Sequence, residues 1–231
     1  MTCQCSDVGL SEIFTERVAR KDARRYLRHG LPPRARRLKS YIEASLDLRN
    51  RTTLEIGSGV GAFTVELARS GTTHSQGVDA TLAVVNQAKR VAQDKGVSDR
   101  VSFEVADFTA VADGLEPADL VLLDRVVCCY PDWQALLQPA AAHARHAIAL
   151  SYPADTGFTR AVVRTLNTGQ ALLRRKFRMH LHPPPQMHQL LRNNGFDIAR
   201  LGRYWTWELM VAVRRPAGAP SGRRAATPPG R

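Results

Sequence analysis

Four acidic residues lie at or just after short apolar runs of the sequence, and three glycines stand beside the first of them. The acids are Glu55, Asp79, Asp107 and Asp124. A carboxylate at the end of an apolar strand can accept hydrogen bonds from hydroxyl groups or pair with a cationic amino group. This pattern indicates a binding site for a polar, hydroxyl-bearing ligand, which the surrounding elements have to assemble.

The glycines occupy alternate positions in EIGSGVGAF, directly after the first apolar run. Because they lack a Cβ, Gly57 and Gly59 can take strained backbone conformations and let the chain approach a ligand closely. Gly61 permits tight packing at the start of the helix predicted to follow. The loop, with Ser58 between its glycines, is therefore predicted to contact a nucleoside-bearing cofactor.

Short apolar strands alternate with helices along most of the chain, as hydrophobic periodicity shows. We predict strands at 53–56, 76–78, 101–105, 119–123 and 147–150, and helices at 12–28, 34–47, 62–69, 81–95 and 132–144. The repeated strand–helix unit predicts an α/β fold with a doubly wound parallel sheet. In such sheets the ligand lies at the carboxyl ends of the strands, where the strand order reverses.

Two classes of cofactor fit the glycine loop. The run GSGVGA also matches the G-x-G-x-x-A spacing of dinucleotide-binding proteins, which is a weak signal alone. Glu55 favours the other class, because a carboxylate there would face a pyrophosphate unfavourably but suits the cationic amino group of S-adenosylmethionine. Asp79 can bind ribose hydroxyls in either class.

Together these motifs resemble those of the class I S-adenosylmethionine-dependent methyltransferases. The family's E/D-x-G-x-G-x-G motif is matched by residues 55–61, and its acids after the second and third strands by Asp79 in GVDAT and Asp107 in VADF. The segments LLRNNGFDIARL and TWELMVAV are similar to the last helix and closing hairpin of the family. The resemblance covers about residues 35–214.

The resemblance implies a Rossmann-like, mostly parallel seven-stranded sheet with an antiparallel C-terminal strand and helices on both faces. It implies S-adenosylmethionine as cofactor. No metal ion is expected, because the close pairs Cys3–Cys5 and Cys128–Cys129 cannot easily direct their thiols at one tetrahedral ion. Asp107 is expected to contact the adenine amino group, and Phe108 to pack on the ring. The full set of expected cofactor-binding residues is Glu55, Gly57, Ser58, Gly59, Gly61, Asp79, Ala80, Asp107, Phe108 and Asp124.

Three parts of the chain are expected. Residues 1–50 form a basic helical segment that folds over the cleft, and residues 51–215 form the methyltransferase domain, with a lid-like insertion at 152–185. Residues 216–231 (PAGAPSGRRAATPPGR) have no apolar periodicity and are rich in Pro, Gly and Arg, which predicts a disordered tail.

The acceptor side carries fewer signals. Tyr130 follows the fourth strand in DRVVCCYPDW, where methyl transfer is expected, and Tyr26 and His182 lie in segments that can reach the same strand ends. These three are the candidate catalytic residues; helix packing for Tyr26 and a turn role for His182 remain alternatives. The arrangement resembles magnesium-protoporphyrin O-methyltransferases, although the chain has Cys129 where those enzymes tend to carry histidine.

The formal net charge is +12, and basic residues are concentrated between Glu16 and Ser40. The expected function is methyl transfer from S-adenosylmethionine to a small anionic or aromatic acceptor. The alternatives are a methyltransferase that binds RNA or another nucleic acid through this basic face, and a non-catalytic cofactor-binding module. The sequence contains no apolar run of about 18–20 residues, so a cytoplasmic protein is expected.

Overall fold

The computed structural model describes residues 9–216. The strands are β1 (Thr52–Ile56), β2 (His74–Asp79), β3 (Val101–Val105), β4 (Ala118–Asp124), β5 (Ala144–Pro153), β6 (Phe196–Tyr204) and β7 (Trp207–Arg214). The helices are α1 (Leu10–Ile13), α2 (Glu16–His29), α3 (Pro33–Glu43), α4 (Ala62–Arg69), α5 (Leu82–Asp94), α6 (Phe108–Val111), α7 (Trp133–His143), α8 (Gly157–Leu172) and α9 (Pro184–Asn193). Short 3₁₀ turns occupy Ala112–Gly114 and Val127–Cys129.

All seven strands belong to one sheet, in the order β3-β2-β1-β4-β5-β7-β6. Strand β7 runs antiparallel to both of its neighbours, and the other pairs are parallel. The predicted fold class is confirmed. The order of the strands reverses between β1 and β4, which places a crevice beyond their carboxyl ends.

Strand β4 shows that the sheet is covered on both faces. Val121 and Leu123 are buried in the core on one face, and Leu120 and Leu122 in the core on the other. Because successive side chains of a strand point to opposite faces, a strand buried on both sides must be apolar without interruption. This is the pattern of DLVLL in the sequence.

The N-terminal segment divides into three helices where two were predicted. Thr15 is the N-cap of α2, and its side chain accepts a hydrogen bond from the Val18 amide. This cap separates α1 from α2, because the cap residue has an extended backbone. Helix α2 packs on α5, and α3 packs on β7. Helices α2 and α3 therefore lie against the same side of the sheet as α4 and α5.

The region expected as an insertion contains more regular structure than the sequence indicated. Strand β5 continues to Pro153, and the 16-residue helix α8 follows it. Residues 173–183 then return toward the ends of the strands, and α9 begins at Pro184. The lid-like part of the predicted insertion is thus confined to α8 and the segment that follows it.

Several expectations concern residues beyond this range. The predicted tail, apart from Pro216, and Cys3 and Cys5 lie outside the described residues. Within residues 9–216, no helix is both long and apolar enough to cross a membrane. No cluster of three His, Cys, Asp or Glu side chains in that range is arranged to hold a metal ion.

Candidate active site

A cavity of about 280 Å³ lies beyond the carboxyl ends of β1, β2 and β4. Its volume is just below the range of about 300–1,000 Å³ that is usual for small-molecule pockets. One side consists of apolar side chains from α1 and its surroundings, from the segment after α8, and from β7: Leu10, Ile13, Phe14, Phe177, Met179 and Trp207. The opposite side comes from the strand ends, and of the predicted site residues it includes Gly57, Gly59, Asp79, Ala80, Phe108, Asp124 and Tyr130.

The glycine loop has the backbone that the sequence predicted. Gly59 and Gly61 have φ angles of 54° and 73°, which side-chain-bearing residues rarely adopt. A Cβ on Gly59 would meet no described atom within 4 Å, so this position keeps the backbone bare beside the cavity. A Cβ on Gly61 would lie 2.6 Å from Cζ of Phe103, so this glycine is needed for close packing against β3.

Asp79 fastens this loop to the end of β2. Its Oδ2 accepts a hydrogen bond from the Gly59 amide at 2.9 Å, and its Oδ1 accepts one from the Thr81 amide at 2.9 Å. Burial raises the pKa of the Asp79 carboxyl, and these two amides oppose the shift. The carboxylate lines the cavity while it orders the loop, and it retains lone pairs for a ligand.

Glu55 occupies a different place from the one expected. Its Oε2 accepts hydrogen bonds from the amide and hydroxyl of Thr64, at 2.8 and 2.5 Å, so the carboxyl group caps the first turn of α4. Burial raises its pKa to about 8, while the Thr64 hydroxyl opposes the shift. The cavity lining of the described chain does not include Glu55, Ser58 or Gly61.

Tyr130 joins the cavity to the acid after β3. Its hydroxyl donates a hydrogen bond to Oδ1 of Asp107 at 3.0 Å, and Asp107 is also the N-cap of α6. Tyr130 and Phe108 both line the cavity and are almost fully buried, whereas Asp107 is half-buried and is not among the lining residues. Tyr130 is therefore the only one of the three predicted catalytic residues to reach the cavity lining of the described chain.

Asp124 is paired with a residue that the sequence did not single out. Both oxygens of its carboxylate accept hydrogen bonds from the Arg34 guanidinium, and Nη2 lies 2.8 Å from Oδ2. The Ser151 hydroxyl donates to Oδ1 at 2.6 Å. Burial tends to raise the pKa of Asp124, but the hydrogen bonds and charge of Arg34 outweigh it, and the pKa lies below its ordinary value.

Arg34 could have been found from the pattern of α3. Leu38 and Ile42 follow it at intervals of four residues and are fully buried, so Arg34 lies on the buried face of the helix. Its guanidinium also lies over the ring of Trp207, 5.4 Å from the centroid. The signal was hidden because Arg34 is one of many basic residues in this part of the chain.

Tyr26 and His182 are not among the residues that line the cavity in the described chain. Tyr26 is buried where α2 meets the helices beside the sheet, and its hydroxyl donates to Oε1 of Glu66 at 2.7 Å. The His182 Nε2 lies 3.1 and 2.9 Å from the carbonyl oxygens of Val127 and Tyr130, which only a protonated nitrogen can contact favourably. Tyr26 is thus a packing residue, and His182 orders the loop that follows β4.

Replacing Tyr26 with phenylalanine tests this assignment. The variant keeps the ring in the core but removes a partly buried hydrogen bond, so we expect the free energy of unfolding to fall by about 0.5–1.5 kcal/mol. Methyl transfer at saturating substrate should stay within twofold of the unmodified protein, because the hydroxyl is far from the cavity. A loss of turnover with unchanged stability to denaturant would instead indicate that Tyr26 acts in the active site.

Comparison with known proteins agrees with this architecture. A sequence model described as a methyltransferase domain matches residues 47–209. Magnesium protoporphyrin IX methyltransferase from Synechocystis PCC 6803, solved with bound SAM, is 22% identical with a TM-score of 0.60, over 78% of this chain and 77% of that one. An O-methyltransferase family protein from Burkholderia thailandensis is 16% identical with a TM-score of 0.69, over 91% and 64% of the two chains. The chain matches no curated protein sequence.

The matched region spans most of the chain and includes the glycine loop and the ends of β1, β2 and β4. The chain belongs to the methyltransferase domain family, as a class I S-adenosylmethionine-dependent enzyme. The family and cofactor expected from the sequence are therefore confirmed. The roles of the individual site residues remain predictions.

Proposed function

We propose that this protein transfers a methyl group from S-adenosylmethionine to a small acceptor that is anionic or aromatic. The observation that carries the proposal is the position of the cavity. It lies where the strand order reverses, with the bare glycine loop and Asp79 on one side and an apolar wall from the N-terminal segment and α8 region on the other. Two ligands can meet there, one on each side.

The residues present suit the cofactor. The Asp79 carboxylate retains lone pairs for the ribose hydroxyls, and the open face of Gly59 admits close approach of a ligand to the backbone. Phe108 offers an apolar surface for the adenine ring, beside Ala80. Because Glu55 lies behind the glycine loop, we propose that it supports this loop through α4 rather than binding the amino group directly.

Methyl transfer needs alignment more than it needs a dedicated acid or base. A lone pair of the acceptor forms a bond to the methyl carbon while the carbon–sulfur bond breaks, and its electron pair stays on sulfur to give S-adenosylhomocysteine. An O–H or N–H acceptor releases its proton to solvent or to a nearby base, and a carboxylate acceptor has no proton to lose. The protein's task is to hold donor and acceptor in line and to exclude water.

The N-terminal segment and the lid-like region meet over the cavity. The Lys176 amide donates to Oε2 of Glu12 at 2.9 Å, and the neighbouring Phe14 and Phe177 both line the cavity. We propose that residues 10–14 and 177–179 enclose the acceptor, as they provide most of the apolar wall. They lie within the two parts of the chain, 1–50 and 152–185, that the sequence predicted to cover the cleft. Their lack of the glycine and acid pattern fits a role in acceptor choice.

Calorimetry with the purified chain tests the cofactor assignment, and labelled turnover tests catalysis. We expect S-adenosylmethionine and S-adenosylhomocysteine to bind and NADH not to bind, because the chain belongs to the methyltransferase domain family. Incubation with methyl-labelled S-adenosylmethionine and a metabolite extract should label at least one small molecule. Tighter binding of NADH would refute the assignment, and cofactor binding without labelling would favour the non-catalytic module.

The basic face of α2 supports a nucleic-acid substrate as the second candidate. Its six Lys and Arg side chains are exposed in a row along the helix, and Arg20 pairs with Glu16. This face is a solvated helix surface that does not contribute to the cavity lining of the described residues. A nucleic-acid substrate would show a steep loss of turnover between about 50 and 200 mM salt, whereas a small acceptor would show a shallow one.

A further inference from the structure

Arg125 directly follows β4, at the point where the acceptor is expected. Its φ angle is 63°, a left-handed conformation that residues other than glycine rarely adopt. The conformation is held from the neighbouring strand, because the Arg125 amide donates to the backbone oxygen and to the hydroxyl of Ser151, at 3.2 and 3.0 Å. Strained backbone of this kind concentrates at functional sites.

The guanidinium of Arg125 makes no hydrogen bond or close ion pair with an acid in residues 9–216. Its charge helps to lower the pKa of Asp124, but less than that of Arg34 does. Asp124 is the obvious candidate, because it precedes Arg125 in the chain. Both of its oxygens are already bonded to Arg34, and one of them also to Ser151. The buried Arg34 thus satisfies the acid, and the side chain of Arg125 is left exposed beside the cavity.

The charges around the cavity favour an anion at this place. Arg34 and Asp124 cancel, and Asp79 lies across the cavity, where its oxygens hold the amides of Gly59 and Thr81. Tyr130 donates its hydroxyl to Asp107. Cys128 and Cys129 are adjacent, and both thiols donate to the Arg125 carbonyl at 3.6 Å. Arg125 is therefore the one basic residue among the described residues that line the cavity.

We infer that Arg125 binds an anionic group of the methyl acceptor, most naturally a carboxylate, which the planar guanidinium can hold with two parallel hydrogen bonds. The acceptor class is an apolar or aromatic acid, because most of the other side chains that line the cavity are apolar, among them Leu10, Phe14 and Phe177. This inference rests on the proposed function and names the substrate class of the same site.

The chain offers a substitution that removes the side chain without straining the fold. Glycine adopts a left-handed conformation readily, so Arg125→Gly should keep or raise the thermal midpoint. Arg174→Gly is a matched control: Arg174 is also exposed and left-handed, with φ at 55°, but it lies outside the described lining of the cavity. Both variants lose one positive charge.

The experiment first separates a metabolite extract by anion exchange into anionic and neutral acceptors, and then incubates each fraction with methyl-labelled S-adenosylmethionine. We expect label to enter the anionic fraction and to fall about tenfold or more with Arg125→Gly, the effect of losing a charge-assisted hydrogen bond. Arg174→Gly should retain full labelling, Arg125→Lys should retain more than Arg125→Gly, and S-adenosylhomocysteine should bind all variants equally by calorimetry.

Two outcomes would overturn the inference, and they are distinguishable. Labelling confined to the neutral fraction, or equal labelling by Arg125→Gly and Arg174→Gly, would show that methyl transfer occurs without an anion bound to Arg125, and the proposed function would stand. Absence of label from every fraction, with cofactor binding intact, would refute the proposed function itself.

Discussion

Replacement of Arg34 with methionine is expected to lower the free energy of unfolding by about 3–5 kcal/mol, because it leaves a buried carboxylate without its cation. Arg34 and Asp124 are both mostly buried, and the pair connects α3 to the end of β4. Denaturant unfolding of the two proteins at pH 7 measures the effect. Methionine keeps most of the side-chain volume, so loss of the charge dominates the result.

Matched variants separate this pair from general packing. Arg37→Met changes an exposed arginine one turn along the same helix and should cost less than about 0.5 kcal/mol. The double variant Arg34→Met with Asp124→Asn should recover much of the loss, because the buried charge is removed as well. If Arg34→Met and Arg37→Met were equally stable, the pair would have no structural role.

The loss in free energy of unfolding caused by Arg34→Met should depend on pH, because it depends on the pKa of Asp124. In the unmodified protein Arg34 holds this pKa below its ordinary value, so the pair's stabilisation is present above about pH 4 and is lost as the pH falls through the folded value. In the variant, burial still raises the pKa and is opposed only by the Arg125 charge and the Ser151 hydrogen bond. We expect burial to dominate, so that stability falls as the pH rises through about 4. The difference in free energy of unfolding between the unmodified protein and the variant should therefore be smallest in acid and should grow toward neutral pH.

Replacement of Asp79 with alanine is expected to weaken cofactor binding by about 2–3 kcal/mol, or about 30- to 150-fold in Kd. The variant removes the proposed acceptor of the ribose hydroxyls and the group that holds the Gly59 amide. Calorimetric titration with S-adenosylhomocysteine, which is not consumed, measures the change. Because burial raises the pKa of Asp79, we also expect affinity in the unmodified protein to weaken on acidification earlier than it would with an exposed aspartate.

The control for this experiment is Asp113→Ala, which removes an exposed acid in the 3₁₀ turn before β4. Its Kd should stay within twofold of the unmodified protein. An Asp79→Ala variant that lost stability but kept the Kd would show that Asp79 only orders the glycine loop and the Thr81 turn.

His182 lies outside the cavity lining of the described chain but orders a loop that contributes to it. Its ring lies against His180 and Trp133, and its Nε2 bonds the backbone of the loop that carries Tyr130. Burial lowers the pKa of His182, so the imidazole is neutral at physiological pH and donates through Nε2. Any effect of changing it would reach the reaction through the position of Tyr130.

Much of the fold could be predicted from the sequence, because the deciding interactions are local. The period of apolar residues separated strands from helices, and the glycine spacing required a bare turn after β1. The C-terminal hairpin and its antiparallel strand came from resemblance to a family. Boundaries were less certain: β5 continues to Pro153, and α1 is separated from α2 by the cap at Thr15.

Tertiary structure alone decided which polar side chains reach the cavity. Tyr26 and Arg34 lie in neighbouring helices, yet Tyr26 bonds Glu66 in the core and Arg34 bonds Asp124, 90 residues away. The helical period sets the face of the helix on which a side chain lies. It does not set which residues of other elements pack against that face. The left-handed backbone of Arg125 depends on Ser151 in the adjacent strand, a contact that no local pattern encodes. The sequence thus determined the sheet, the glycine loop and the class of cofactor, because these depend on neighbours in the chain. The tertiary structure determined the environment of the proposed acceptor site, because the partners of its charged side chains are distant in sequence.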